Sequence, residues 1–457
     1  MPLDWDTLFP LNRYGQSEFL PSQEYARSEF ERDFDRIIFS SFFRRLQNKT
    51  QVYPLPGSVL VHNRLTHSLE VSSVGRSLGR MCGSFILQKS PTLQKVLTQG
   101  DIGAIVAAAA LAHDVGNPPF GHAGEDAISD FFKNGYGYNL TEDLPEKYKS
   151  DFENFEGNAH GFHLLTNTNS KNNLGGLHLT ASTLLAFSKY PHHSTHSGFP
   201  KWGYFQAEAE NMLKLANHAQ LVEYEYGCYL RHPLAFLVEA ADDICYQIMD
   251  FEDAFRLQLV TFQEAETLLQ TIAAEEIRTY NYHHIQDANE CIAYLRGRCI
   301  NKLVHQVSQV FEEKMDTLLC PDDQPVFEPL IKSIPSAQSQ VLKEIKIITR
   351  TRLYEHPHVL SMELDGNRQL QELLKVLIEA LIENPNTTRS AKIKKFIPKQ
   401  FIYEHLVRDP VSRYGVPGSG SSGDNGLYNQ LMGIVCFVAG MTDLYVLDFS
   451  RKLGIAI

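Results

Sequence analysis

Cysteine is sparse in this chain: seven residues, at 82, 228, 245, 291, 299, 320 and 436, are scattered over 457 positions with no CxxC pair. Such an odd, dispersed set predicts reduced, mostly buried thiols and gives no support to a cysteine-ligated zinc site. An excess of positive charge is also missing. Forty-two Lys and Arg stand against 54 Asp and Glu, a formal net charge of -12. This excludes a protein whose main work is coating nucleic acid, because phosphate neutralisation needs clustered cations. The local exception, "RSAKIKKFIPK" at 389–399, reads as a solvated helix face or loop, with contact to a phosphate or a strand as its alternative. No run reaches the roughly 18 apolar residues of a membrane span. The start "MPLDWDTLFPLNRYG" has no basic segment followed by an apolar core, so a cytoplasmic location away from membranes is expected. Alternating strand-like runs are few, and there is no internal repeat.

What is present is apolar spacing of three and four residues over long windows, which predicts a mainly α protein with few short strands. Four windows stand out as helices: 64–87, 101–114, 233–255 and 428–453. Gly, Asn, Ser and Pro concentrate between them at 167–176, 190–203 and 415–426, where loops are expected. The stretch "TQVYPLPGSVLVHNR" at 50–64 is the best candidate for a short hairpin or an extended loop.

The chemistry concentrates in "LAHDVGNPPFGHAGED" at 111–126. Gly116, Pro118 and Pro119 end the helix that precedes them, leaving His113 and Asp114 in its last turn. Adjacent helical residues point about a hundred degrees apart, so this pair converges only on something beside the helix end. An imidazole and a carboxylate suit a divalent cation. A histidine at a helix C-terminus is also stabilised by the helix dipole with no ligand role, and the dipeptide alone does not choose. Context adds His67 near a buried helical seam, and Asp242, Tyr246 and Asp250 four apart on one helix face. Inward carboxylates need pairing, hydrogen bonds or a metal.

In order along the chain, "FFRRLQNKTQVYPL" (42–55), "NRLTHSLEV" (63–71), "AHDVGNPPFGHAGEDAI" (112–128), "FEGNAHGF" (155–162), "EAADDICY" (239–246) and "AGMTDLY" (439–445) resemble bacterial deoxyguanosine triphosphate triphosphohydrolases. The likeness covers roughly residues 30 to 450. His67, His113, Asp114 and Asp242 match the metal-binding pattern of the wider HD-domain phosphohydrolases. The resemblance implies a helical HD fold with added helices, forming one unit over 1–457. Its HD core would lie at about 60–256, and a region from about 257 to 457 would complete the nucleotide pocket and the oligomer contacts. It further implies cleavage of a deoxynucleoside triphosphate to deoxynucleoside and tripolyphosphate, with Mg2+, Mn2+ or another first-row ion as cofactor. Two His and two Asp ligands leave about two of six octahedral positions open. Such a cation lowers the pKa of bound water from about 15.7 toward roughly 7 to 9.

By the same resemblance His122 does acid/base work and Glu125 orients it. Without that context Glu125 is a first-turn carboxylate favoured by the helix dipole. Arg64, Asn158, Lys189, Tyr190 and Lys201 match phosphate contacts; Gln51, Tyr246 and Asp250 match sugar contacts; Glu363 lies where relatives contact the base. A carboxylate there suits the N1-H and amino edge of guanine. Some relatives carry Gln and Arg where this chain has His160 and His163, which leaves the charge around the phosphates open. The triplet His192, His193 and His196 in "PHHSTH" reads as an ordinary loop, since Ser, Gly and Pro offer little preorganisation for zinc. The expectation is therefore a dGTP triphosphohydrolase. A broader dNTP or phosphoester hydrolase is one alternative, and an inactive module sensing nucleotide or single-stranded DNA is another. A homohexamer and a single-stranded DNA effector are implied by resemblance alone.

Overall fold

The computed structural model describes residues 2–15, 27–52, 61–167, 176–196, 199, 201–277, 282–320, 328–402 and 424–455. Helices dominate, and among the described residues the sheet content is one antiparallel pair, Glu223–Glu225 with Cys228–Tyr229. No single helix among them is long and apolar enough to cross a membrane.

The centre is a pair of helices, Arg64–Lys89 and Gln99–Ala112. Their close approach is written in small residues. Gly75, Gly79 and Gly83 recur every fourth position, and a methyl group on Gly79 would meet Gly103 Cα and Ile102 O at 3.0 Å. The second helix is buried from Ile105 to Ala112 and opens with a capping box between Thr98 and Asp101, two residues earlier than the sequence window. Because His67 lies on the first helix and His113 caps the end of the second, this packing sets the distance between them. The helix Pro233–Arg256 lies across both, capped by the His232 side chain accepting from Leu234 N, and brings Asp242 to the same point.

Two buried cores result. One joins the N-terminal segment to these three helices and to Ala288–Leu318. The other joins His122–Lys133 and Glu146–Glu153 to Pro357–Ile378 and the last two helices. Apolar packing therefore links residues on either side of position 256 within the second core.

The window 428–453, expected as one helix, is two: Asp424–Ala439 and Asp443–Leu453, bent by 117°. Thr442 starts the second by accepting from Tyr445 N, so a strong N-cap interrupts an otherwise continuous apolar pattern. Of the 50–64 segment, Thr50 and Asn63 form an isolated antiparallel bridge, while 53–60 lie outside the described residues. The loop expectations at 168–175 and 415–423 also fall outside them, while 424–426, expected as loop, form the first turn of Asp424–Ala439. At 190–203 the described residues form no helix or strand, as expected.

Candidate active site

Between the two cores lies a cavity of about 520 Å³, within the range of small-molecule sites. Fourteen of the fifteen site residues expected from the sequence line it: Gln51, Arg64, His67, His113, Asp114, His122, Glu125, Asn158, Lys189, Tyr190, Lys201, Asp242, Tyr246 and Glu363. Asp250 is not among the lining residues. It is 2% exposed and accepts a hydrogen bond from the Tyr354 hydroxyl, and the Tyr354 ring stacks on Tyr246 with centroids 5.8 Å apart. Tyr354, the last residue of the π-helical segment Arg350–Tyr354 and more than a hundred residues away, takes the lining position instead.

One wall is built on helices. His67 Nε2 lies 3.1 Å from Asp242 Oδ1, and His113 Nε2 lies 3.6 Å from the same oxygen and 3.5 Å from Asp114 Oδ1. His113 Nδ1 donates to Ala110 O at 2.7 Å, which turns Nε2 toward the cluster. The ligand atoms of His67, His113 and Asp242 all lie within 4.8 Å of one another. Asp114 faces Arg64, whose Nη1 donates to Oδ2 at 2.7 Å, and also accepts from the Asn117 side chain. Burial works against both carboxylates. For Asp242 the neighbouring His113 and His67 outweigh it, and for Asp114 the Arg64 guanidinium and the same histidines do, so both are held below the ordinary carboxylate range.

The donor set fits a divalent cation: two imidazoles and an ionised carboxylate around one point, with a second ionised carboxylate alongside. Seven carboxylates line the cavity (Asp114, Glu125, Glu156, Glu239, Asp242, Asp243 and Glu363) against four side-chain cations, Arg64, Lys189, Lys201 and Lys346.

The opposite wall is built on turns. Phe120 and Gly121 both take positive φ, 62° and 60°, and reverse the chain so that the helix His122–Lys133 starts at the cavity. A Cβ at Gly121 would sit 2.6 Å from Arg64 Nη2, so glycine serves both the backbone turn and the arginine's place. Asp443, the first residue of the last helix, clamps this turn: Oδ1 accepts from Phe120 N at 3.0 Å and Oδ2 from Thr50 N at 2.9 Å. Buried Lys49 donates to Ala439 O at 3.1 Å and to Asn117 O. Burial pushes its ammonium down to about 7 despite the nearby Asp443. Neither Asp443 nor Lys49 was expected in a role, although both sit within the blocks that carry the family resemblance.

Glu125 Oε1 accepts from Gly157 N at 2.7 Å, tying the two helix starts together. Asn158 donates to Glu156 Oε1 at 2.6 Å, and Lys201 lies 3.5 Å from the same oxygen. Burial raises the pKa of Glu125 and Glu156, whereas burial followed by Lys201 and Arg64 lowers that of His122. Two groups lack partners at this cavity: Arg64 Nε as a donor and Gln51 Oε1 as an acceptor, both buried. His160 and His163 do not line it. His160 is held neutral, down to about 3 by burial, with Nδ1 2.8 Å from Gly116 O, and His163 pairs with Glu208 at 2.8 Å.

A helical bundle that gathers two histidines and two aspartates beside a polar cleft is the arrangement of an HD-domain hydrolase, and the HD domain model matches residues 64–184. A deoxyguanosinetriphosphate triphosphohydrolase-like protein of Synechocystis is 36% identical with all of both chains covered. One from Pseudomonas aeruginosa is 33% identical over 99% of this chain and 98% of its own. A Klebsiella pneumoniae protein named deoxyguanosinetriphosphate triphosphohydrolase is 29% identical over 93% of each chain. The chain belongs to the deoxyguanosinetriphosphate triphosphohydrolase-like family of HD-domain proteins.

Proposed function

We propose that the chain hydrolyses deoxynucleoside triphosphates, dGTP foremost, to deoxynucleoside and tripolyphosphate through attack of water on the α-phosphorus. One observation carries the reading: a single cavity sets a His67, His113 and Asp242 cluster together with a solvent-accessible His122 and a buried Glu125, with Arg64, Lys189 and Lys201 around it. His67, His113, Asp114 and Asp242 would hold a divalent cation, which we assign as Mg2+ or Mn2+. When bound it polarises the phosphoryl group and acidifies water.

The protein's own residues do the rest. His122, biased toward its neutral form by partial desolvation in the cavity and by Lys201 and Arg64, accepts the proton of the attacking water and returns it to the 5′-oxygen as that bond breaks. Glu125, fixed by Gly157 N, holds the imidazole side of the reaction in place. Arg64, Asn158, Lys189, Tyr190 and Lys201 receive the phosphates, with the free Arg64 Nε as an unused donor. Tyr246 and Tyr354 form a flat aromatic wall against C2′, where a ribose hydroxyl would collide. Gln51 Oε1 is the free acceptor for the 3′-hydroxyl, and Asp250 acts on the sugar through Tyr354. Glu363 accepts from the guanine edge. The region beyond 257 completes the pocket through Lys346, Tyr354 and Glu363. Assembly as a homohexamer belongs to the same proposal, as does single-stranded DNA as effector at the exposed Lys392, Lys395 and Lys399.

The test is product analysis with each of the four dNTPs and GTP, with Mg2+ or Mn2+ and then chelator. Tripolyphosphate and deoxyguanosine from dGTP, only with metal, is expected. Equal release from all dNTPs removes the guanine assignment. Orthophosphate, pyrophosphate or no product removes the α-phosphoryl mechanism.

A further inference from the structure

The loop holding His192, His193 and His196 gains from the fold what its sequence lacks. Its backbone is fastened to the small hairpin: Tyr229 N donates to Pro191 O at 3.0 Å, and His193 Nε2 lies 3.0 Å from Tyr226 O. The turn of that hairpin is closed by Gly227 at φ 69°. This brings His196 against Glu225 and Cys228, and one donor atom from each lies within 4.8 Å of the other two. His196 Nδ1 is 3.1 Å from Glu225 Oε2, yet it is shielded from water and has no partner in hydrogen-bonding geometry. A nitrogen and a carboxylate oxygen that close, with the oxygen outside hydrogen-bonding geometry of the ring, suit two ligands of one cation. His192, 4% exposed and with Nδ1 also unpartnered, adds a second buried imidazole whose centroid is 5.2 Å from that of His196.

We propose that His196, Glu225 and Cys228 form a second metal site, for zinc or a cation of similar softness, which clips the 189–196 loop to the hairpin. Nitrogen, oxygen and sulfur donors at zinc bond lengths of about 2.0–2.3 Å stand roughly 3.3–3.8 Å apart in a tetrahedron, within small side-chain shifts of the observed cluster. The fourth position goes to water beside His192. Burial, with Glu225 and Glu223, pushes the Cys228 thiol up to about 12, so cation binding releases its proton to solvent as the sulfur-metal bond forms. The loop that is clipped also carries Lys189 and Tyr190 of the cavity, so occupancy fixes one side of the active site. The site is independent of the nucleotide reading.

Titration of the metal-stripped full chain with Co2+ tests it, because a thiolate-to-cobalt charge-transfer band in the near ultraviolet arises here and not at the sulfur-free His67 cluster. The band is expected in the unmodified protein and in Asp242→Asn, and is expected to vanish in Cys228→Ser. Glu225→Gln, at an exposed position that leaves folding unaffected, is expected to weaken cobalt binding about tenfold or more. No band, a band that survives Cys228→Ser, or unchanged affinity in Glu225→Gln overturns the proposal.

Discussion

The two walls of the cavity use the same residue types in opposite charge states. On the helical wall the buried Asp114 and the half-buried Asp242 are held ionised, because histidines and Arg64 sit against them. On the turn-built wall Glu125 and Glu156 are buried with raised pKa values because desolvation outweighs Lys201, and His122 is depressed because Lys201 and Arg64 add to desolvation. The difference suits the proposed division of labour: fixed negative charge for a cation on one side, groups able to exchange a proton on the other. Rigid helices hold the first wall, whereas the second depends on strained turns clamped from the far end of the chain.

Removing the fixed charge has the largest expected consequence. Asp242→Ala leaves two imidazoles without their shared carboxylate. Turnover is predicted to fall by more than the roughly 10²–10⁴ of a lost acid/base group, with the first metal equivalent missing by elemental analysis. His122→Ala breaks only the proton-exchanging wall: kcat drops by about 10²–10⁴ while metal content and nucleotide affinity persist. Lost nucleotide binding in that variant would show His122 to be a binding group instead. Glu363→Gln lies on neither wall and lowers the preference for dGTP over dATP by roughly 10- to 100-fold, the worth of a hydrogen bond to a charged acceptor, read as a ratio of kcat/KM values.

Asp443→Ala frees Phe120 N and Thr50 N and tests the clamp. A cost of about 1–3 kcal/mol is expected from denaturant unfolding, with kcat reduced more than metal binding, because the turn-built wall alone loses its support. The smallest effect is in pH. A depressed His122 stays neutral below its ordinary 6.5, so the acid limb of kcat/KM falls below that pH. Lys201→Met removes one of the cations that depress it, and the limb moves upward. An unmoved limb would assign it to another group.

Legibility divided along the same line. Residues of the helical wall were readable because apolar periodicity placed His67 and Asp242 on inward faces, and the glycine and prolines after Asp114 fixed where the helix stops. The aromatic pair lining the cavity was only half readable: Tyr246 follows Asp242 by one turn, but Tyr354 reaches it through a contact that no local spacing encodes. Asp250 was placed on the lining because Asp242, Tyr246 and Asp250 share a helix face; the Tyr354 hydroxyl covers it. Asp443 and Lys49 left no local signal, since a first-turn aspartate is ordinary at a helix start and a lysine is ordinarily solvated. The bend at Gly440 to Thr442 was hidden by the apolar run on both sides of it. Cys228 looked like an isolated thiol because its neighbours, His196 and Glu225, meet it only through the hairpin and the loop packed on it.

Water labelled with 18O tests the central claim most directly. Hydrolysis of dGTP in labelled water is predicted to place one 18O in the tripolyphosphate and none in the deoxyguanosine, because water attacks phosphorus and the bond to the 5′-oxygen breaks. Label in the nucleoside, or dGMP with pyrophosphate as the products, would contradict it.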